Sequence, residues 1–212
     1  MKMEELHSLY VKAKVFAEET HNMDVERLRA KTNLTEDPET FFEEYVYTVL
    51  ASGFRARVAS EYTKKLLSCL SFATGAVTAP LEGVFKNQRK CTAIKETFMR
   101  FSGSAGAERY RLASRAWKHP RDLTELPMIG PTTCWQLARN IGLCSAAKPD
   151  VHMKRLFQRL FRNDDSGFIL ETFQRLADTL HEPAGIVDFI VWVYLSHNGE
   201  EKDCCHGGYA LR

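Results

Sequence analysis

The stretch LTELPMIGPTTCWQLARNIGLCSAAKPDVHMKRLF, residues 123–157, decides how this chain folds. It predicts a short helix, a tight hairpin over residues 126–130, a second helix, and a loop that leads to a third helix. Pro127 fixes its own φ and disfavours helix just before it, while Gly130 permits a positive φ or a close backbone approach. We therefore expect two helices joined by a hairpin, with Asp150 at the start of the third helix.

The residues after the hairpin predict an anion site. Pro131 suits the first position of a helix, where a missing N–H costs nothing. Thr132 and Thr133 then open a helix whose first N–H groups point outward and attract negative charge. A DNA phosphate is a natural ligand for such a helix start. The predicted DNA contacts in this segment are Pro127, Met128, Ile129, Gly130, Thr132 and Thr133.

The segments LPMIGPTTC and KPDVHMKRL, residues 126–134 and 148–156, together resemble the helix-hairpin-helix DNA glycosylases of the endonuclease III-like branch. Members carry a hairpin of the form L-P-G-I/V-G and, further along, an aspartate in a P-D or V-D-T-H segment. The resemblance implies an all-α fold of two helical domains with a DNA-binding cleft between them. Residues 38–146 would form a six-helix domain with the hairpin. Residues 1–37 and 147–212 would form the second domain, with Asp150 at its edge.

The same resemblance implies an enzyme that flips out a damaged or modified base and hydrolyses its N-glycosidic bond. Asp150 is the predicted catalytic residue, because a carboxylate beside C1′ stabilises the positive charge that builds on the sugar. Thr132 stands where bifunctional members carry a catalytic lysine, which predicts a monofunctional enzyme that leaves an abasic site. Two alternatives stay open: a non-catalytic DNA-binding protein in which Asp150 only caps a helix, and a glycosylase with lyase activity through Lys148 or Lys90.

Further site residues follow from the resemblance and from residue chemistry. Phe54 lies near the position from which relatives insert a wedge into the space left by the flipped base, and stacking suits an aromatic ring to that role. Arg55, Lys90 and His152 are predicted DNA contacts. The predicted base pocket contains Tyr45, Tyr47, Asn87 and Trp135. Core packing is the competing interpretation of the aromatic residues and of His152, and the family's usual first hairpin glycine is replaced by Met128.

The distribution of charge favours double-stranded DNA as the partner. The net charge is only +2, with a pI near 8.2, which by itself indicates no particular partner. Residues 86–121, however, are rich in lysine and arginine and contain Glu96 and Glu108 as their only acids. The N-terminal part of the chain is acidic instead. We expect a basic surface in the middle of the chain that faces a duplex with a modified base, and a monomeric protein.

The cysteines and the apolar pattern bear on cofactors and location. The six cysteines form no C-x-x-C pair, and the chain shows no signal peptide and no membrane-spanning run. We therefore expect an intracellular protein, cytoplasmic or nuclear, with reduced thiols and no membrane partner. Relatives often end with four cysteines around an iron–sulfur cluster, but only Cys204 and Cys205 lie near this C-terminus, so no such cluster and no metal site are expected. A monovalent cation at the hairpin is the one cofactor left open.

Apolar residues at helical spacing predict helices along the whole chain and no strands. Besides the helix that opens at Pro131, the predicted helices cover residues 3–20, 41–50, 56–70, 80–85, 87–101, 108–117, 122–125, 150–161, 168–180 and 183–197. The identity of the excised base stays open, because pocket residues come from several helices. Alkylated, oxidised, deaminated and mismatched bases are all compatible with the pattern. Bulky modified bases of phage DNA are compatible too, and would make this a defence enzyme rather than a repair enzyme.

Overall fold

The computed structural model describes residues 2–198, and within them the chain is almost entirely helical. The α-helices are α1 (Lys2–Thr20), α2 (Asn22–Arg29), α3 (Pro38–Ala51), α4 (Ala56–Leu67), α5 (Leu81–Val84), α6 (Gln88–Phe101), α7 (Gly106–Ala116), α8 (Thr133–Ile141), α9 (Val151–Phe161), α10 (Ser166–Leu180) and α11 (Ala184–Asn198). A 3₁₀ helix covers Pro120–Glu125. Two short antiparallel strands, β1 (Leu70–Ser71) and β2 (Ala76–Val77), pair with each other. The predicted all-α fold class is confirmed.

The chain forms two compact units. The central unit contains residues 31–144, and the terminal unit combines residues 2–30 with the described chain from residue 145 onward. The sequence-based division lay at residues 38 and 146. The difference at the first boundary arises because residues 31–37 pack with the central unit, where the amide of Thr35 donates to the carbonyl of Ile141 at 2.8 Å.

Helix α3 is the centre of the central unit. Asp37 caps it, with its carboxylate accepting from the amides of Glu39 and Thr40, and Pro38 occupies the first turn. The helix is apolar on most of its circumference, and α4, α6, α8 and α7 pack around it. Aromatic side chains dominate this core, including Phe41, Phe42, Tyr45, Phe98, Phe101, Tyr110 and Trp117.

A buried polar cluster joins three segments of the central unit. Lys31 donates to Glu44 of α3 at 3.0 Å and to the backbone carbonyl of Asn140 at the end of α8. The Asn140 side chain donates to the other oxygen of Glu44 at 2.9 Å. Since each of these groups has a hydrogen-bond partner, the carboxylate can stay buried between α3 and α8 without an uncompensated charge.

The terminal unit is a bundle built on α1 and α11. Helix α1 buries Leu6, Tyr10, Ala13 and Ala17, which recur at helical spacing as the sequence predicts. Its core continues through α9, α10 and α11. At one edge Arg29 pairs with Glu182 at 2.7 Å, and the Tyr10 hydroxyl donates to the same carboxylate. Burial, together with the charge of Glu182, raises the pKa of Tyr10 to about 12.

Two elements differ from the sequence-based expectation. Helix α2 lies outside the predicted helices, and only Val25 and Leu28 anchor it to the core. Strands β1 and β2 stand where a helix end and a loop were expected, and two-residue strands are too short to show alternation in the sequence. The predictions about Cys204 and Cys205 concern residues outside the described part of the chain.

No helix among the described residues is long and apolar enough to cross a membrane. Within residues 2–198, no group of three or more histidine, cysteine, aspartate or glutamate side chains is arranged to hold a metal ion. Cys69, Cys91 and Cys134 are buried thiols outside any disulfide of this part of the chain.

Candidate active site

The predicted hairpin is a real turn, but its left-handed residue is not the glycine. The amide of Leu126 donates to Leu123 at 3.1 Å, and the amide of Ile129 donates to Leu126 at 3.1 Å. Met128 lies between them with φ +61° and is 43 % exposed, whereas Gly130 does not have a positive φ. Ile129 is buried and anchors the turn. The sequence-based assignment of the special backbone conformation to Gly130 is therefore corrected to Met128, the position where the family pattern has its first glycine.

The helix after the hairpin begins two residues later than expected, at Thr133 rather than Pro131. Its hydrogen-bond ladder starts with the amide of Cys134, which donates to the Gly130 carbonyl at 3.0 Å. The Thr133 hydroxyl accepts from the Gly130 amide at 2.8 Å and so closes the turn onto the helix. The amides of Thr132 and Thr133 precede the first ladder bond, which is the arrangement that binds an anion at a helix N-terminus.

The hairpin is fixed from behind by α3. The Tyr45 hydroxyl lies 2.9 Å from the Pro127 carbonyl and 3.1 Å from the Ala93 carbonyl of α6. Burial raises the pKa of Tyr45 above its ordinary value, so the phenol stays a donor. The ring is fully buried, which makes Tyr45 a core residue that supports the hairpin rather than a surface on which a base can stack.

Asp150 is the N-cap residue of α9. Its Oδ1 accepts from the amides of His152 at 3.0 Å and Met153 at 3.2 Å. Its Oδ2 lies 3.5 Å from Nζ of Lys148, and the side chain is 11 % exposed. The backbone amide of Asp150 donates to the Lys148 carbonyl at 2.8 Å, which turns the chain sharply before the helix. One oxygen is thus held by the helix start and the other is directed toward an ammonium group.

His152 belongs to the same helix start. Its amide donates to Asp150, and its half-buried ring meets the ring of Trp192 edge-to-face, with centroids 6.4 Å apart. The ring is therefore packed against α11, which matches the competing interpretation of this histidine as a packing residue. Its backbone still helps to position Asp150.

The turn between α3 and α4 contains three of the predicted DNA contacts. Phe54 is 41 % exposed and packs against Phe85, with ring centroids 5.6 Å apart. Arg55 is exposed at the N-cap position of α4. Lys90 was predicted as a surface contact, but it is 6 % exposed, and its ammonium bonds to Ser52 and to the Leu50 carbonyl. The Lys90 side chain thus points into the protein, toward the turn that contains Phe54.

The remaining pocket candidates lie on α3, at the start of α6 and on α8 of the central unit. Asn87 caps α6, accepting from the Lys90 amide at 3.1 Å, and is exposed. Tyr47 is half-buried on α3. Trp135 is buried on α8 and contacts the His119 ring edge-to-face at 5.4 Å. The structure therefore groups Asn87 with Lys90 and places Tyr45 and Trp135 in the core.

Sequence reasoning overlooked the partnerships of two lysines. Lys148 was considered only as an alternative nucleophile, but it pairs with Asp150, and the K-x-D spacing beside Pro149 is the signal that could have found this. Burial of Lys90 had no signal in the sequence, because a lysine in the first turn of a helix is normally exposed.

Comparison with known proteins supports the fold. No protein-family model matches the chain, and no curated protein matches its sequence. The fold is similar to that of the 8-oxoguanine DNA glycosylase of Thermotoga maritima, with a TM-score of 0.64 and 19% sequence identity. The alignment covers 91% of this chain and 97% of that one. At this level of identity the likeness establishes the all-helical fold.

Proposed function

We propose that this protein is a monofunctional DNA glycosylase, which hydrolyses the N-glycosidic bond of a damaged or modified base in duplex DNA. The observation that carries the proposal is the Asp150 carboxylate, fixed by two amides of α9 with its second oxygen outside the cap. The likeness to an 8-oxoguanine DNA glycosylase over nearly the whole chain supports the enzyme class. Fold alone does not imply activity, so the chemistry depends on Asp150.

In the proposed reaction the base leaves the stack before its bond is cut, because C1′ and the attacking water need access that a paired base denies. The C1′–N bond breaks, and its electron pair leaves with the base. Water forms the new C1′–O bond, and the proton that it gives up is balanced by the proton that the departing base takes up. Asp150 stabilises the positive charge on the sugar and orients or deprotonates this water.

The hairpin supplies binding rather than chemistry in this proposal. The amides at the start of α8 bind a phosphate of the DNA backbone, and the exposed Met128 side chain lies at the surface of the turn. Thr132 provides no amine, so no Schiff base forms at this position. The product is an intact strand with an abasic site.

The structure also bears on the lyase alternative. A lysine attacks C1′ only as a neutral amine with a lone pair. The Lys148 ammonium is engaged with Asp150, and the Lys90 ammonium donates to Leu50 and Ser52. We therefore expect borohydride to trap no covalent adduct with an abasic duplex. A trapped adduct that disappears in Lys148→Met or Lys90→Met would establish the lyase reaction and contradict simple hydrolysis.

The test is base release from a panel of duplexes that contain oxidised, alkylated, deaminated, mismatched or bulky modified bases. We expect release from at least one of them, with strand breakage only after alkali treatment, because the product is abasic. Binding of duplexes without release from any of them contradicts the proposal and favours the non-catalytic alternative, in which Asp150 is only a helix cap. The panel also separates a repair substrate from a modified phage base.

A further inference from the structure

Lys90 is a buried lysine that the proposed hydrolysis does not use. Its ammonium lies 3.2 Å from the Ser52 hydroxyl and 3.4 Å from the Leu50 carbonyl. Within residues 2–198 no carboxylate forms an ion pair with it. Burial of an ammonium without an opposite charge is costly, and burial lowers the pKa of Lys90 below its ordinary value. A long apolar side chain would fill the same space without this cost.

The surroundings of the ammonium compensate the charge only through dipoles and a ring. Leu50 and Ser52 lie at the C-terminal end of α3, where unsatisfied carbonyls carry partial negative charge. The ammonium also lies 5.5 Å from the centroid of the Phe54 ring, at a distance where the ring face attracts a cation. Lys90 therefore connects the end of α3 to the side chain of Phe54 through a single group.

Phe54 is held in place although much of it faces solvent. Its ring contacts Phe85 at 5.6 Å and Tyr62 at 6.2 Å between centroids, with Lys90 as the third neighbour. An aromatic ring that is 41 % exposed yet fixed by three neighbours is a rigid projection from the turn. Such a projection can enter a stack of bases at a low cost in conformational entropy, because few of its rotamers remain to be lost.

We propose that Lys90 is a positioning residue, which holds the turn of residues 52–54 so that Phe54 fills the space that the target base leaves in the duplex. This inference rests on the proposed glycosylase function, in which the base leaves the stack. Lys90 itself touches neither the base nor the sugar in this account. It acts through the Leu50 carbonyl, the Ser52 hydroxyl and the Phe54 ring.

The test uses a duplex that needs no base release. It contains a stable tetrahydrofuran abasic analogue opposite 2-aminopurine, whose fluorescence reports stacking of a side chain in the space that the missing base leaves. This substrate is called the abasic duplex below. We expect the wild-type protein to change this fluorescence and Phe54→Ala to abolish the change. Lys90→Met should reduce the binding preference for the abasic duplex over an intact duplex about fivefold, the size expected from losing a cation–π contact and its hydrogen bonds. Lys90→Arg should restore part of it.

A purely structural role for Lys90 predicts a different result. Lys90→Met would then change the urea midpoint but leave both the fluorescence change and the preference for the abasic duplex as in the wild type, and this result overturns the inference. In the double variant Lys90→Met/Phe54→Ala we expect no loss beyond that of Phe54→Ala alone, because both residues act in one step. Independent, additive losses also contradict the inference.

A second variant keeps the test decisive if Lys90→Met does not fold. Ser52→Ala removes one acceptor of the ammonium, and Ser52 is exposed, so folding should survive. We expect Ser52→Ala to weaken the preference for the abasic duplex, but by less than Lys90→Met does. An unchanged preference overturns the inference. Base release is measured separately. A protein that inserts Phe54 in a Lys90-dependent manner but releases no base from any duplex contradicts the proposed function and leaves Lys90 in its role.

Discussion

Met128 holds a backbone conformation that a side chain normally avoids. Its φ of +61° lies in the left-handed region, where a residue with a Cβ atom is disfavoured by about 1–2 kcal/mol relative to the right-handed helix. The chain accepts this cost because Ile129 is buried on one side of the turn and Tyr45 holds the Pro127 carbonyl on the other. The hairpin is therefore maintained by its surroundings rather than by a glycine.

Two substitutions at position 128 should have opposite effects on stability. Met128→Gly should raise the free energy of unfolding by about 1 kcal/mol, because the left-handed strain disappears and the exposed side chain contributes little packing. Met128→Val should lower it by about the same amount or more, because a β-branched residue is poorly accommodated at positive φ. Urea unfolding of the two variants checks this, and a Met128→Gly protein less stable than Met128→Val contradicts the assignment of strain.

The helix-start position of Asp150 could be predicted from the sequence, whereas the burial of Lys90 could not. Asp150 was predicted to cap a helix from its position after Pro149 and to be catalytic from the resemblance to the helix-hairpin-helix glycosylases. The structure places it at the start of α9. The chemistry at Asp150 stays a prediction. The burial of Lys90 depends on how α6 meets the end of α3, which is a tertiary relation that no local pattern encodes.

Among the elements, α3 depends on its cap. Burial alone would raise the pKa of Asp37, but hydrogen bonds from the Thr40 hydroxyl and from the amides of Thr40 and Glu39 outweigh it, and the pKa is lowered. A lowered folded-state pKa means that the cap contributes stability above the pKa of the unfolded chain. This contribution is lost as the pH falls through the folded-state value.

We expect Asp37→Ala to lower the free energy of unfolding by about 1 kcal/mol at neutral pH, as is typical for loss of an N-cap. Asp37→Asn should keep most of the cap but remove its titration. The stability difference between wild type and Asp37→Asn should therefore shrink as the pH falls below about 4, where aspartate is protonated. Urea unfolding across the acidic range measures this, and a difference that stays constant or grows contradicts the role of the Asp37 charge.

Long helices with many apolar residues were predictable, whereas three short elements were not. The apolar residues of α1, α3 and α11 predicted three helices close to their observed bounds. Helix α2 has only two buried apolar residues, and β1 and β2 have two residues each, so neither produces a readable pattern. The later start of α8 arises because Thr133 bonds back to Gly130 and holds the preceding residues in a turn.

At the scale of the whole molecule, the central unit depends on charges as well as on its aromatic core. Lys31 and Glu44 are distant along the chain from Asn140, yet the three form one cluster. Removing one member leaves a buried charge without its partner, which is more costly than never having the pair. The first residue of the central unit is in this way tied to its last helix.

We expect Glu44→Gln to lower the free energy of unfolding by about 2 kcal/mol, less than a fully buried pair because both side chains retain some exposure. In a double-mutant cycle with Lys31→Met, the coupling should be about 1–2 kcal/mol. The control is the exposed pair Lys14 and Glu18, where Glu18→Gln should change stability by less than about 0.5 kcal/mol. Equal effects at Glu44 and Glu18 would show that the buried cluster has no special role.

The all-helical fold of the molecule could be predicted from the sequence for two reasons. Apolar residues at helical spacing recur along the chain, and the hairpin motif is followed by the aspartate segment that the resemblance leads one to expect. The first boundary between the two units was predicted at residue 38, but it lies at residue 31. Residues 31–37 join the central unit through Lys31 and Thr35, whose carbonyl accepts from the Tyr110 hydroxyl. Such long-range hydrogen bonds leave no trace in local sequence patterns.

We expect Asp150 to perform chemistry beyond capping α9. Asparagine caps helices about as well as aspartate, so Asp150→Asn should fold normally and bind duplex DNA as the wild type does. Asp165→Asn is the control, since Asp165 is also a helix N-cap, accepting from the Phe168 amide at the start of α10. Single-turnover base release from the best duplex of the panel should fall about a thousandfold in Asp150→Asn, because the carboxylate charge is lost, and should be unchanged in Asp165→Asn. Release by Asp150→Asn at the wild-type rate would show that the Asp150 carboxylate takes no part in base release.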